Sequence, residues 1–63
     1  MVENGSRDTW VLVYDGITKT VVNIIEPGFH TQAGGTNILK EFSTKAELDA
    51  FVKDNNLIVP DSL

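Results

Sequence analysis

The sequence predicts a small α+β domain: an antiparallel sheet of three strands, or four, with one helix packed on one face. Three observations predict it. Thr9–Tyr14 is a β-branched and aromatic run, apolar on both of its alternating faces. Val21–Ile25 is a second such run, with Asp15-Gly16 between the two. Only one segment, around Lys45–Asn55, has the capped and striped pattern of a helix. One short helix covers one face of a sheet. The other face is therefore expected to stay wet or to meet a partner.

Residues 1–8 carry Asn4-Gly5-Ser6 and little hydrophobicity, and are expected to form a mobile N-terminal arm. In Thr9–Tyr14, alternation puts Trp10, Leu12 and Tyr14 on one face and Thr9, Val11 and Val13 on the other. Asp15-Gly16 suits the positive backbone angles of a tight hairpin turn, which Thr18 and Lys19 can extend into a longer loop. The same alternation in Thr20–Ile25 puts Val22 and Ile24 on one face and Val21, Asn23 and Ile25 on the other. Glu26-Pro27-Gly28 ends that strand, because Pro27 has no amide donor.

Residues 28–36 have no periodicity and contain Gly34-Gly35, so a long flexible loop is expected there. Asn37–Phe42 is a third strand, and its Lys40 and Glu41 mark an edge position, where charge discourages stray pairing. Thr44-Lys45-Ala46-Glu47 has capping-box spacing, with Thr44 (or Ser43) as the N-cap. Leu48, Phe51 and Val52 then form one apolar stripe, expected to meet the sheet. On that basis Phe51→Ala is expected to cost about 3–5 kcal/mol. Asn55-Asn56 suits the left-handed conformation that ends helices, with Leu57 folding back onto Val52. Leu57–Val59 is a candidate short fourth strand, stopped by Pro60, and residues 60–63 are expected to fray.

Composition narrows the function. Sixty-three residues make one domain, 1–63, with a thin stability margin. There is no cysteine, so neither disulfides nor thiolate metal sites are available, and His30 is the only imidazole. The net charge is −4, and Arg7, Lys19, Lys40, Lys45 and Lys53 are scattered among acids. Nucleic-acid binding needs a clustered basic footprint, so none is expected. Asp15, Glu26, Glu41, Glu47, Asp49 and Asp54 form no dense acidic run either. The longest apolar stretch is about five residues, against the roughly 20 that span a bilayer. No membrane segment is therefore expected. The N-terminus lacks the basic start and apolar centre of a signal peptide.

No catalytic constellation stands out. His30 with Ser43 and Asp15 or Glu26 has no motif spacing and no strand-to-helix nucleophile elbow. Glu47 and Asp49, two apart on a helix, point to different sides. Gly34-Gly35 lacks the longer glycine pattern and the Lys-Ser/Thr of a phosphate loop. No enzyme activity, catalytic residue, cofactor or metal site is expected.

Trp10–Phe29 contains Trp-Val-Leu-Val-Tyr-Asp-Gly and Val-Val-Asn-Ile-Ile-Glu-Pro-Gly-Phe. This hairpin pattern resembles the short β-hairpins of small bacteriophage virion and tail-associated accessory proteins. The intervening Ile17-Thr18-Lys19 departs from the tighter version, and the Thr44–Asn55 helix is not part of the pattern. The resemblance implies a structural or accessory role in a phage particle, in the virion or the host cytoplasm, with no catalytic residues to carry over. Composition and resemblance together give a non-enzymatic interaction protein that joins a homo- or hetero-oligomer through its uncovered sheet face or an open edge. Its expected partner-binding residues are Trp10, Val11, Val13, Tyr14, Val21, Ile25, Phe29 and His30. The alternative is a small phage-encoded inhibitor that captures a host enzyme through an acidic surface.

Overall fold

A computed structural model describes residues 8–29, 31–61 and 63. The expected arm thus lies outside the described residues, apart from exposed Asp8, as does His30. The chain forms β1 (Trp10–Asp15), β2 (Val21–Ile25), β3 (Asn37–Phe42) and α1 (Lys45–Asp54), the α+β arrangement that the patterning predicts. The sheet order is β2-β1-β3, with β1 antiparallel to both neighbours. The most apolar strand thus sits at the centre, where both of its edges and both of its faces can be covered.

The turn between β1 and β2 is longer than Asp15-Gly16 alone suggests. Asp15 N–H donates to Thr20 O at 2.8 Å, and Lys19 N–H donates to Asp15 O at 2.8 Å. The positive φ falls on Lys19, at 61°, and not on Gly16. Gly16 serves close approach instead: a Cβ there would lie 2.7 Å from Ile38 Cδ1 and 3.3 Å from Thr36 O. Asp15 organises the turn by accepting from Ile17 N–H at 2.8 Å and Thr18 N–H at 3.1 Å.

β2 departs from strict alternation. Tyr14 pairs with Val21, but Val13 pairs with Asn23, so Val22 is the extra residue of a bulge. The bulge turns both Val21 and Ile24 toward the helix and leaves Val22 exposed, which corrects the pairing of Val22 with Ile24 on one face. An irregularity of one residue reverses every side chain beyond it.

The helix follows its local chemistry closely. Thr44 Oγ1 accepts from Glu47 N–H at 3.1 Å, and Glu47 Oε1 accepts from Ser43 N–H at 3.1 Å. The carboxylate thus reaches one residue past the cap, to the amide before it. At the far end Leu57 N–H donates to Val52 O at 3.0 Å and Asn56 N–H to Lys53 O at 3.1 Å. Asn56 sits between them at φ 55°, the left-handed cap that the Asn pair predicts. This cap folds Leu57 back into the core beside Val52.

The helix-side core is Leu12, Tyr14, Val21, Leu48 and Leu57, with Trp10, Ile24, Phe42, Phe51 and Val52 packed around it. Phe51 is tilted against Tyr14 at 5.9 Å and against Phe42 at 5.4 Å between ring centroids. Leu12 and Leu48 are fully buried. Each such side chain contributes roughly 1.5–3 kcal/mol.

The second face of the sheet is not open at its centre. Val11 is 2% exposed and Val13 is 3% exposed, although both point away from the helix. Connectivity accounts for this. β2 and β3 are parallel to each other and flank β1, so residues 26–36 must run back along the sheet and cross β1. After β3, the helix returns the chain to the outer edge of β2, where Ile58 makes a parallel bridge to Thr20. The two crossovers move in opposite lateral directions. Both being right-handed places them on opposite faces. With α1 on the Leu12 face, the same rule puts the β2–β3 connection on the side of Val11 and Val13. The fourth strand reduces to that one bridge, because Pro60 has no amide to continue it. In the tail, Leu63 N–H donates to Pro60 O at 3.1 Å.

Candidate functional site

The residues expected to bind a partner do not lie on one surface. Tyr14 and Val21 are buried in the helix-side core, and Trp10 is half-buried beside it with Lys45 Nζ 5.7 Å above its ring. Val11 and Val13 are buried on the opposite face, where Ile25 is half-buried opposite Val11. Buried side chains offer no surface in this fold, so the docking role assigned to Val11, Val13, Tyr14 and Val21 gives way to a packing role. Phe29, in the crossing connection, is exposed.

The exposed large apolar side chains lie at the sheet margins and the chain's end: Ile17 in the turn, Val22 on the bulge, Ile38 on β3, and Ile58, Val59 and Leu63 beyond the helix. Alternation alone missed these positions. The bulge has no signature in the sequence, and the connectivity that closes the second face is set by strand order. Only Pro60, which cuts the last strand short, signals the exposed Ile58–Val59.

The two sheet edges differ in what their backbone offers. Strands turn successive backbone groups to alternate sides. On β2, Asp15 and Thr20 are a bonded pair facing inward, so Val21 faces out, and beyond the bulge Ile24 does. Both outward amides are occupied. Val21 N–H donates to Ile58 O at 2.7 Å, and Ile24 N–H donates to Asn23 Oδ1 at 2.9 Å. A bulge, a bridge and a side-chain cap thus blunt this edge.

β3 is different. Gly16 N–H donates to Thr36 O at 2.9 Å, which fixes the alternation across the β1–β3 ladder. Ile38, Lys40 and Phe42 therefore face β1, opposite Tyr14, Leu12 and Trp10. Asn37, Leu39 and Glu41 turn their backbone outward. Asn37 N–H is taken by Gly34 O at 3.0 Å. Among the described residues, the N–H groups of Leu39 and Glu41 have no acceptor. The ladder is regular over its full length, Asn37–Phe42, and β3 lacks the bulge of β2.

The polar groups are structural. Besides the turn amides, Asp15 accepts from Thr36 Oγ1 at 3.2 Å and so ties the hairpin turn to the end of the crossing connection. The amide donors at Ile17 and then Thr18 hold its carboxyl below the usual carboxylate range against desolvation, and the Thr36 hydroxyl adds the smallest contribution. Lys45 and Asp49 form an exposed ion pair at 3.1 Å along the helix. The described residues enclose no pocket and contain no cluster of His, Asp or Glu spaced to hold a metal ion. No described helix is long and apolar enough to cross a membrane. Comparison with family models, with curated proteins and with solved structures finds no match.

Proposed function

We propose that this chain is a protein-interaction module that assembles by strand pairing and carries no catalysis of its own. One observation carries the proposal: β3 is a regular edge strand whose outward Leu39 and Glu41 amides have no acceptor among the described residues, while β2 is blunted at both outward amides. Strand addition to an open edge draws affinity from the main chain and specificity from alternate side chains. Here those side chains are Ile38, Lys40 and Phe42 on the helix side and Leu39 and Glu41 on the other. The proposed setting, an accessory or assembly component of a phage particle, rests on the hairpin resemblance of Trp10–Phe29.

Native mass measurement of the chain as recovered from its source tests the proposal. The expected result is a defined assembly larger than the 6.9 kDa chain. A Leu39→Pro variant should drop out of it. Proline at an outward edge position removes a donor that the β1–β3 ladder does not use, and circular dichroism of the variant checks that it folds. Recovery of the unmodified chain only as a free monomer overturns the proposal.

A further inference from the structure

We infer that the β3 edge pairs with a second copy of this chain, antiparallel about a two-fold axis at Leu39. The inference rests on the interaction role proposed above and names its partner and register. Bonded pairs form only between outward-facing residues, so a two-fold β3–β3 pairing can centre on only a few positions. Centring on Lys40 sets Lys40 opposite Lys40 of the second copy, and centring on Glu41 sets the two carboxylates opposite each other. Like charges directly opposite are destabilising. Centring on Ile38 leaves only Asn37–Leu39 of the strand paired within Asn37–Phe42.

Centring on Leu39 avoids each of these faults. Leu39 meets Leu39, Ile38 meets Lys40, and Asn37 meets Glu41, twice over by symmetry. The outward amides of Leu39 and Glu41 then donate to the Leu39 and Asn37 carbonyls of the other copy. Asn37 N–H keeps its existing bond to Gly34 O. The Asn37 side-chain amide faces the Glu41 carboxylate across the seam, and the Lys40 stem lies along half-exposed Ile38. The strand has no net charge, since Lys40 and Glu41 offset each other, so the overall charge of −4 is not concentrated at the seam. The charges that discourage random edge contacts thus leave one full register without a like-charge clash. The two-fold axis runs perpendicular to the sheet, so the product is a six-stranded sheet with both helices on one face.

The chain has no cysteine, so single cysteines report the register without background. Leu39→Cys should form a disulfide-linked dimer under mild oxidation, because a bonded antiparallel pair holds its Cα atoms about 5.5 Å apart. Asn37→Cys and Glu41→Cys should cross-link when mixed and neither should do so alone. Like positions in that register are offset by four residues, about 13 Å along the strand. Val22→Cys, on the other edge, should form no disulfide-linked dimer. Circular dichroism of each reduced variant checks that it folds. A wild-type dimer in sedimentation equilibrium whose Leu39→Cys and mixed variants fail to cross-link overturns this register and leaves the interaction role standing. A wild-type chain that sediments as a monomer at the highest attainable concentration overturns self-pairing. The interaction role is judged separately, by the mass of the assembly from the source.

Discussion

Val13→Thr tests whether the second face of the sheet is shielded. Val13 is 3% exposed and lies between Asn23 and Leu39 of the flanking strands, on the side away from the helix. Threonine has the shape of valine and a similar preference for strands, so on a wet face the exchange costs less than about 0.5 kcal/mol. On a covered face it replaces a buried methyl with a hydroxyl removed from water, which costs about 1–3 kcal/mol. A chain of 63 residues has a total stability of about 3–9 kcal/mol, at 0.05–0.15 kcal/mol per residue. The expected loss is thus on the order of a third of the whole. At about 1 kcal/mol per molar urea the unfolding midpoint should fall by about 1–3 M. Trp10, the only tryptophan, reports the transition by fluorescence. Val22→Thr, on the bulge at 46% exposure, supplies the reference and should move the midpoint by no more than about 0.5 M. If the two variants unfold together with wild type, Val13 is solvated, and the placement of residues 26–36 over it is refuted.

Leu48→Ala should be the most damaging single helix substitution. Leu48 is the one buried residue of α1, so its loss costs about 2–5 kcal/mol, and half-buried Phe51→Ala should cost less than Leu48→Ala in the same urea titration. Asn56→Gly should hold or slightly raise stability while Asn56→Ala lowers it by about 1 kcal/mol, because φ at 55° puts a Cβ against the following carbonyl; thermal melts of the two variants decide this. Asp15 has a depressed folded pKa, so its contribution is present above the unfolded value and is lost as pH falls through the lower folded one. Wild type should therefore destabilise on acidification below about pH 4, and Asp15→Asn should flatten that slope when melting is followed from neutral to strongly acidic pH. Charge reversal at exposed Asp49 and Asp54 should leave a strand-paired assembly insensitive to salt, whereas an acidic inhibitor would lose association rate; Glu41 is excluded because it lies in the proposed seam and Glu47 because it holds the Ser43 amide.

What sequence patterning captured was local. The Thr44–Glu47 cap, the Leu48-Phe51-Val52 stripe and the Asn56 terminus depend on neighbours within one or two turns, and each holds in the structure, except that the Glu47 carboxylate takes the Ser43 amide in place of that of Thr44. The three strands also hold, with their ends at Asp15, Ile25 and Phe42. What patterning missed was non-local or a matter of one residue. Nothing in Thr20–Ile25 announces that Val22 bulges, yet that bulge decides which of Val21 and Val22 is core. Asp15-Gly16 has the composition of a two-residue turn, but the Asp15 carboxylate prefers the amides of Ile17 and Thr18, and the strain moves to Lys19. Seven of the eight expected contact residues are apolar or aromatic, and in a chain this small most apolar strand residues are needed inside.

Strand order is the step from which the rest follows. Had the sheet run β1-β2-β3, residues 26–36 would close a simple hairpin, Val11 and Val13 would lack a cover, and the apolar surplus of β1 would form an open face. Placing β1 in the middle forces a crossover of eleven residues. That crossover, moving in the opposite lateral direction to the helix connection and so lying on the other face, leaves both outer strands as edges. The chain then treats the two edges unequally. On β2 it uses Ile58, Asn23 and a bulge to occupy the outward amides. On β3, among the described residues, the outward Leu39 and Glu41 amides have no acceptor, and Lys40 and Glu41 sit between apolar neighbours. An edge meant only to be protected would have been blunted as β2 is. The asymmetry therefore supports the proposed pairing at β3 over docking on the sheet face.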